Sequence, residues 1–317
     1  MTLDAPSATA KSAPMAFQIL GRVVSSDITL RGIPCAFEGA DPVIELIGSG
    51  FAQKRHPEWP PFVQFEDAAG LHFHARDIGE FHISADGATV SYSLAPLADN
   101  ADVQYLLTGP VISLALQQQG EVLIHGAAVA HGCRAFAFAG PHATGKSTLA
   151  AAFSAVGATL LTDDVLPLRI AASQVMARRS VPWIKLKEDS LQAVGHDLSG
   201  LNLVWSLAEK RKVPMKRAAI EGAEFGLAAI YLLDPRNDVD CKVKVTPLLN
   251  SEAVGGILAN TYAAESLRGN RAARALDAAS RIAETVPVRT ISYHRSYENL
   301  PAIRDAILRD VEGLPNA

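Results

Sequence analysis

The sequence predicts an α/β domain with helices packed on a sheet, preceded by a β-rich N-terminal domain. Residues 17–94 contain short apolar segments separated by Gly, Pro and Asp-Gly pairs, which is typical of antiparallel strands joined by turns. From residue 122 onward, apolar strand segments alternate with segments of helical periodicity. We therefore divide the chain into a disordered tail (1–16), a β-rich domain (17–100) and an α/β domain (101–317).

Composition and charge narrow the functional classes. The 317 residues are 49% hydrophobic and 20% charged, with a formal net charge of −4, as in an ordinary soluble globular protein. This weak acidic balance does not favour a DNA or RNA partner. The three cysteines suggest neither a disulfide framework nor a metal motif, and no apolar run is long enough to span a bilayer. We expect a cytoplasmic protein without a membrane partner and leave a homo-oligomer open.

The β-rich domain contains five recognisable strand segments. They read FQILGRVV, DPVIELIG, PFVQFED, LHFHARD and ATVSYSLA. Asp86-Gly87 lies between apolar segments and favours a tight hairpin. His72 and His74 share one face of a strand, but the sequence offers no third ligand at useful spacing, so a metal site there is disfavoured.

The α/β domain begins after a helix predicted over residues 99–120. An Asp or Asn is available as its N-cap and Gly120 as its end. Gly109-Pro110 should kink or split this helix, because proline lacks the backbone donor and clashes with the preceding turn. The later elements are the strands EVLIHGAAVAHG, RAFAFAG, ATLLTDDVLPLRI, FGLAAIYLLD and PVRTISYH, and the helices KSTLAAAFSAVG, SEAVGGILANTYAA, RGNRAARALDAASRIAET and PAIRDAILRDVEG. We expect Pro167 to mark a break or a sheet edge, and Arg268 and Arg271 to begin a helix and face solvent.

A phosphate-binding loop joins the strand RAFAFAG to the helix after it. Residues 140–147 read GPHATGKS and fit the pattern G-x-x-x-x-G-K-[ST]. Backbone N–H groups of such a loop and the N-terminus of the following helix form an anion-binding concavity. Lys146 would reach the β- and γ-phosphates, and the Ser147 hydroxyl is a hard oxygen ligand for Mg²⁺. The residues predicted to bind the nucleotide are Gly140, Ala143, Thr144, Gly145, Lys146, Ser147 and Thr148.

Two consecutive aspartates, Asp163 and Asp164, end the first strand after the loop's helix. One carboxylate there is enough to contact Mg²⁺ beside Ser147, and a second could accept a proton from an attacking hydroxyl. Neighbouring residues of a strand point to opposite faces, so only a local bend would bring both carboxylates to the phosphates. The alternative is a solvated turn, since acidic pairs are common at strand ends.

Further polar residues are candidates for the same site. His125 lies in the strand that precedes the loop strand, where it is either a satisfied core histidine or a catalytic one. The run AEKRKVPMKR (208–217) is the densest basic stretch of the chain. It is either a solvated loop or a segment whose Lys210 or Arg211 stabilises charge on a transferring phosphoryl group.

The order of these motifs resembles the catalytic core of the HPr kinase/phosphorylase family. The shared features are a His-Gly pair (IHGAAV), the phosphate loop (GPHATGKST), a helix ending in glycine (SAVGATLL) and an Asp-Asp strand (TDDV), at matching separations. The family's fold is related to phosphoenolpyruvate carboxykinase. The resemblance covers about fifty residues, and PWIKLKEDSLQAVG does not contain the arginine-bearing signature of the bifunctional enzymes.

The resemblance implies specific roles for these residues. Asp164 would take the proton of a serine hydroxyl, with His125 supporting it. Asp163 and Ser147 would hold Mg²⁺, and Lys146 would bind the transferred phosphate of ATP. The whole layout looks more like HPr-kinase-like proteins of bacterial biosynthetic clusters, some of which phosphorylate the C-terminal serine of lasso-peptide precursors. The resulting expectation is a serine kinase acting on a peptide or small protein; a small-molecule kinase and a nucleotide-sensing regulatory ATPase stay open.

Overall fold

The computed structural model describes residues 14–36, 39–49, 60–180, 183–197, 199–204, 209–214 and 224–314. These residues form a mixed α/β structure with two large sheets and a separate two-stranded sheet. Most of the predicted tail lies outside the described residues, but the first strand already begins at Met15, inside the segment assigned to the tail. Within the described ranges, no helix is both long enough and apolar enough to cross a membrane.

The N-terminal part of the chain forms a seven-stranded sheet in the order β1-β2-β3-β7-β6-β5-β4. Its strands are β1 (Met15–Ile19), β2 (Arg22–Ser26), β3 (Ile44–Gly48), β4 (Phe62–Asp67), β5 (Gly70–Ala75), β6 (Gly79–Ser84) and β7 (Thr89–Leu94). The pairs β2–β3 and β3–β7 are parallel, and the others are antiparallel. The turn at Asp86-Gly87 joins β6 to β7 as predicted. The sequence did not reveal β6, because it carries only two large apolar side chains.

An interrupted helix covers this sheet. Its segments are α1 (Asn100–Leu106), a π-helical turn (Leu107–Val111) and α2 (Ile112–Gln118). Asp99 caps the first segment, and Pro110 lies in the π-helical turn, so the predicted interruption is confirmed. Buried residues of both α-helical segments share one cluster with residues of β1–β3 and β5–β7. That cluster contains residues from both sides of position 100, so the domain boundary there stays a prediction.

The rest of the chain contributes ten strands and five helices in its described ranges. The strands are β8 (Val122–His131), β9 (Arg134–Ala139), β10 (Thr159–Thr162), β11 (Val165–Ile170), β12 (Val175–Arg178), β13 (Trp183–Leu186), β14 (Arg211–Pro214), β15 (Glu224–Arg236), β16 (Lys244–Leu248) and β17 (Val288–His294). The helices are α3 (Lys146–Ala155), α4 (Glu188–Ala193), α5 (Asn250–Ala259), α6 (Gly269–Thr285) and α7 (Leu300–Glu312). Eight of these strands form the second sheet, and β13 pairs only with β14.

Helices pack on both faces of the second sheet. Alternate residues of β9 point to opposite faces, so Phe136 and Phe138 join a buried cluster that includes residues of α3 and α7. Ala135 and Ala137 join another cluster, which includes residues of α5 and α6. The predicted packing of helices on a sheet is therefore present, and it buries residues 135–139 of β9 on both faces.

Strand β8 determines which elements meet at one edge of the second sheet. It pairs with β9 on one side, and on the other side with β11 and then β10. Strands β9, β15 and β17 run parallel to one another, so their carboxyl ends lie at the same edge. Ligands of α/β proteins bind at such an edge.

The prediction for Pro167 is wrong. This residue lies inside β11, opposite Leu123 of β8, and β11 is flanked by β8 and β12 rather than forming an edge. The ladder between β11 and β12 begins only at Leu168. Proline is tolerated because the neighbouring strand does not yet pair at this position and needs no donor from it.

The prediction that Arg271 faces solvent is also wrong. Arg271 is 7% exposed, and its Nη2 lies 2.6 Å from Oε2 of Glu66 in β4. The same nitrogen donates to the carbonyl of Ser266 at 3.2 Å. A buried guanidinium needs an opposite charge, and β4 supplies it from far away in the sequence.

Replacing Glu66 with glutamine should destabilise the protein, because the Arg271 guanidinium would stay buried without an opposite charge. The Glu66 side chain is 42% exposed, so we expect a loss of about 1–2 kcal/mol in the free energy of unfolding rather than the 3–5 of a fully buried pair. Urea denaturation measures this value. Glu284→Gln, on the exposed face of α6, is the matched control, and equal stability of the two variants would contradict the prediction.

Candidate active site

The phosphate-binding loop lies at the carboxyl end of β9, as predicted. It begins at Gly140 and leads into α3, whose N-cap is Gly145 with φ of 97°. That left-handed conformation suits glycine and is strained for a residue with a β-carbon. The Thr148 hydroxyl donates to Ser190 Oγ at 3.1 Å, which ties the start of α3 to α4.

Lys146 lies against the backbone of its own loop. Its Nζ donates to the carbonyls of Gly140 at 2.7 Å and Pro141 at 2.9 Å. The residue is 8% exposed, and burial lowers the pKa of its ammonium group. An ammonium that is already desolvated beside the loop interacts strongly with an incoming anion.

Asp163 is joined directly to the start of α3. Its Oδ1 accepts a hydrogen bond from Ser147 Oγ at 2.7 Å, and its Oδ2 accepts one from the backbone N–H of Lys185 at 2.8 Å. The side chain is buried, and this burial raises the pKa of its carboxyl group. The predicted pair of magnesium ligands, Ser147 and Asp163, is thus brought together.

Asp164 adopts the local bend that both carboxylates need to reach one site. It has φ of 84°, an unusual value for a residue with a side chain. Its carbonyl accepts a hydrogen bond from the N–H of Gly126 at 3.1 Å, in the gap between β10 and β11. As a result, both Asp163 and Asp164 line the same cavity, which an undistorted strand would not allow.

His125 is the neighbour of Asp164 on β8. Its Nδ1 lies 3.5 Å from Oδ1 of Asp164, and its ring centroid lies 4.9 Å from that of His142 in the loop. Its Nε2 is buried without a hydrogen-bond partner in the described residues. Burial lowers the pKa of His125 to about 4, so the ring is neutral at pH 7 and offers a polar edge to the Asp164 carboxylate.

Lys185, a residue that the sequence analysis did not single out, completes the cluster. It lies in β13, and its Nζ donates to Oδ2 of Asp164 at 2.6 Å. Burial by itself would raise the pKa of Asp164, but the charge of the Lys185 ammonium group and its hydrogen bond hold it below its ordinary value. Conversely, burial would lower the pKa of Lys185, and Asp164 raises it. The two groups therefore form an ion pair.

The basic stretch 208–217 divides between the cavity and the surface. Lys210 lines the cavity. Arg211 does not line it; its Nη2 pairs with Oε1 of Glu188 at 2.6 Å. Lys212 lies over the ring of Trp183, 3.5 Å from its centroid. Residues 215–217 lie outside the described part of the chain. Of the two predicted phosphate contacts, the structure thus places only Lys210 near the site.

The site opens into a cavity of about 580 Å³, a volume typical of small-molecule sites. Residues at and after the end of β17 also line the cavity, among them Tyr293, Arg295 and Tyr297. The Tyr293 hydroxyl donates to the carbonyl of Thr144 at 2.8 Å, and Arg295 Nη2 donates to that of Ala143 at 3.0 Å. Two carbonyls of the loop are therefore held by side chains from the end of β17.

The donor set fits magnesium better than a metal that needs a full protein cage. In the described ranges, no group of three or more His, Cys, Asp or Glu side chains is arranged to hold a metal ion. His72 contacts Asp67, and His74 lies near Glu80. Magnesium in nucleotide sites is held by one or two protein oxygens together with phosphates and water. Ser147 Oγ and Asp163 Oδ1 supply such oxygens.

Comparison with known proteins adds a distant structural similarity. No protein-family model and no curated protein matches the chain. The chain is similar to a solved HPr(Ser) kinase/phosphatase from Coxiella burnetii, with 12% sequence identity and a TM-score of 0.33. The match covers 60% of this chain and 95% of that one. What the site does is accordingly inferred from its own geometry.

The buried His125 should make stability depend on pH. The unfolded chain binds a proton at this residue below about pH 6.5, but the folded protein only below about pH 4. The contribution of His125 to stability is therefore lost as the pH falls through this window. Between pH 7 and pH 5 we expect a loss of about 2 kcal/mol from this residue.

Urea denaturation of the wild-type protein and His125→Gln at the two pH values measures this contribution. The variant should lose less stability on acidification than the wild type. His131→Gln, at an exposed position, should behave like the wild type. Equal acid sensitivity of His125→Gln and the wild type would show that His125 is not neutral in the folded protein.

Proposed function

We propose that this protein is an ATP- and Mg²⁺-dependent kinase that transfers the γ-phosphate to a serine hydroxyl of a peptide or small protein. One observation carries the proposal. The bend at Asp164 brings a carboxylate with its own polar partners into the same cavity as a phosphate loop whose Ser147 is already bonded to Asp163. Binding a nucleotide needs the loop and one carboxylate, whereas transfer to a hydroxyl also uses a second one.

Each residue of the site has a separate role in the proposed phosphate transfer. Loop N–H groups and Lys146 hold the phosphates, and Ser147 with Asp163 would hold Mg²⁺, which neutralises phosphate charge when bound. Asp164 accepts a hydrogen bond from the serine hydroxyl and orients it. The bond between the serine oxygen and the γ-phosphorus forms as the bond to the β,γ-bridging oxygen breaks. ADP keeps that electron pair, and the serine proton passes to Asp164.

The acceptor can be narrowed by the sequence resemblance alone. The motif layout looks like that of HPr-kinase-like proteins of biosynthetic clusters, some of which act on lasso-peptide precursors. We therefore extend the proposal to the C-terminal serine of such a precursor. A small-molecule hydroxyl is the alternative for the same core, and a nucleotide-sensing ATPase would use the loop without an acceptor.

Phosphate transfer from labelled ATP tests the proposal. The purified protein is incubated with Mg²⁺ and γ-labelled ATP in the presence of peptides encoded by neighbouring genes and an array of serine peptides. Each peptide is paired with its serine-to-alanine version. We expect label, and a mass increase of one phosphate, only on serine-containing members. Label on none of them, with ATP hydrolysed or merely bound, would overturn the peptide-kinase function.

A further inference from the structure

Lys185 connects both aspartates of the site from an element outside the phosphate-loop unit. Its backbone N–H donates to Oδ2 of Asp163, and its ammonium group donates to Oδ2 of Asp164 at 2.6 Å. It lies in β13, which among the described residues pairs with β14 alone and is not part of the second sheet. The contact therefore depends on a separate two-stranded unit that approaches the end of β10.

The ammonium group of Lys185 is largely buried and lies beside an aromatic ring. The side chain is 14% exposed, and Nζ lies 5.3 Å from the ring centroid of Tyr105. A charge in such a place needs an opposite charge to offset its desolvation. Asp164 supplies that charge, so the ion pair fixes the position of both groups.

Asp164 in turn needs to be held in place. Its φ of 84° is unfavourable for a residue with a side chain and persists only where the surrounding structure imposes it. Gly126 holds its carbonyl, but that bond does not direct the carboxylate. Lys185 is the strong partner of the carboxylate itself, because its ammonium group lies 2.6 Å from Oδ2, whereas Nδ1 of the neutral His125 lies 3.5 Å from Oδ1.

We infer that Lys185 is a positioning residue for Asp164, and that the carboxylate oxygen Oδ1, rather than Oδ2, receives the proton of the acceptor hydroxyl. This inference rests on the proposed kinase function. Oδ2 is occupied by the ammonium group of Lys185. Oδ1 has only the weaker contact with His125 Nδ1, so it retains capacity to accept the acceptor's hydrogen bond. Lys185 thereby aims one lone pair at the acceptor.

Substitution of Lys185 by methionine tests the role, with Lys185→Arg as the conservative variant. The backbone bond from residue 185 to Asp163 survives in both. We expect kcat for phosphate transfer to fall about 10- to 100-fold in Lys185→Met, the range found when a residue that orients a functional side chain is removed. Lys185→Arg should retain most of the wild-type kcat. Affinity for ADP, measured by calorimetry, should stay within about twofold of wild type, since Lys185 does not act on the loop. Lys244→Met, an exposed lysine on β16, is the control for loss of a positive charge.

A double-mutant cycle separates positioning from a direct effect on phosphate. If Lys185 acts through Asp164, adding Lys185→Met to Asp164→Asn should cause no further loss of kcat. Multiplicative losses would overturn the inference and make Lys185 a phosphate contact. So would wild-type kcat in Lys185→Met, or equal losses of kcat and ADP affinity.

Outcomes for the wild-type protein separate this inference from the function on which it rests. A wild type that transfers no phosphate overturns the kinase function, and the role of Lys185 falls with it. A wild type that transfers phosphate, together with a Lys185→Met variant of equal kcat, overturns the role of Lys185 alone. If Lys185→Met loses its thermal unfolding transition, Lys185→Gln takes its place in the same cycle.

Discussion

Replacement of Asp164 by asparagine should lower the rate of phosphate transfer about 100- to 10,000-fold, which is the range for loss of a general base. Asparagine has nearly the same shape and tolerates the left-handed backbone conformation of residue 164, so the bend should persist. It cannot take the acceptor's proton. Affinity for ADP should be retained, because the loop and Lys146 are untouched. Steady-state kinetics with an unphosphorylated acceptor peptide and ATP, and calorimetry with ADP, measure the two quantities.

A cost in stability should accompany the kinetic effect of Asp164→Asn. Lys185 would lose its ionic partner while it stays buried, so the unfolding temperature should fall. Activity assays of this variant should therefore be run well below its unfolding temperature. Asp238→Asn, at an exposed position far along the chain, is the matched control and should change neither rate nor stability. A transfer rate within threefold of wild type in Asp164→Asn would exclude Asp164 as the base.

Replacement of Asp163 by asparagine should lower activity without lowering stability, in contrast to Asp164→Asn. We expect phosphate transfer to fall about 100- to 1,000-fold, because the ligand pair formed with Ser147 loses its negative charge. The concentration of Mg²⁺ needed for half-maximal activity should rise. In the absence of nucleotide and metal, however, the unfolding temperature should not fall.

The physical reason is the burial of Asp163. Burial raises the pKa of its carboxyl group above that of the unfolded chain, so stability from this group is present at low pH and is lost as the pH rises. Ionisation of the buried Asp163 side chain therefore opposes folding, and a neutral amide does not carry that penalty. Differential scanning calorimetry without Mg²⁺ measures the effect. A clear drop in unfolding temperature, with unchanged Mg²⁺ dependence, would assign Asp163 a purely structural role.

The local elements of the site were predictable from sequence because their signals are local. A glycine loop between a strand and a helix, and an acidic pair at the next strand end, lie within a short stretch of chain. The sequence indicated that a bend is needed for both aspartates to reach the phosphates, but nothing in the sequence reveals the φ of 84° at Asp164. It arises from pairing of β10 and β11 with β8, in which Gly126 donates to the Asp164 carbonyl.

Residues whose roles depend on distant partners could not be predicted. Lys185 is 21 residues from Asp164 in sequence, and its direction depends on how β13 and β14 approach the sheet. Arg271 looked like a solvated residue at the start of a helix, but Glu66, 205 residues away, determines its burial. Arg211 looked equivalent to Lys210, yet Lys210 lines the cavity and Arg211 pairs with Glu188 outside its lining. In each case the role of the residue depends on a tertiary contact that the local sequence does not reveal.

Strand β8 pairs with the loop strand β9 on one side and with β10 and β11 on the other. This pairing makes one part of the site less tolerant of sequence change than another. The loop strand and the aspartate strand are both hydrogen-bonded to β8, so the spacing between phosphate and carboxylates is set by one ladder and tolerates little change. The β13–β14 unit shares no ladder with β8. Insertions or substitutions there can reshape what approaches Asp164 without altering how a phosphate is held, so related chains with different acceptors should differ first in this unit.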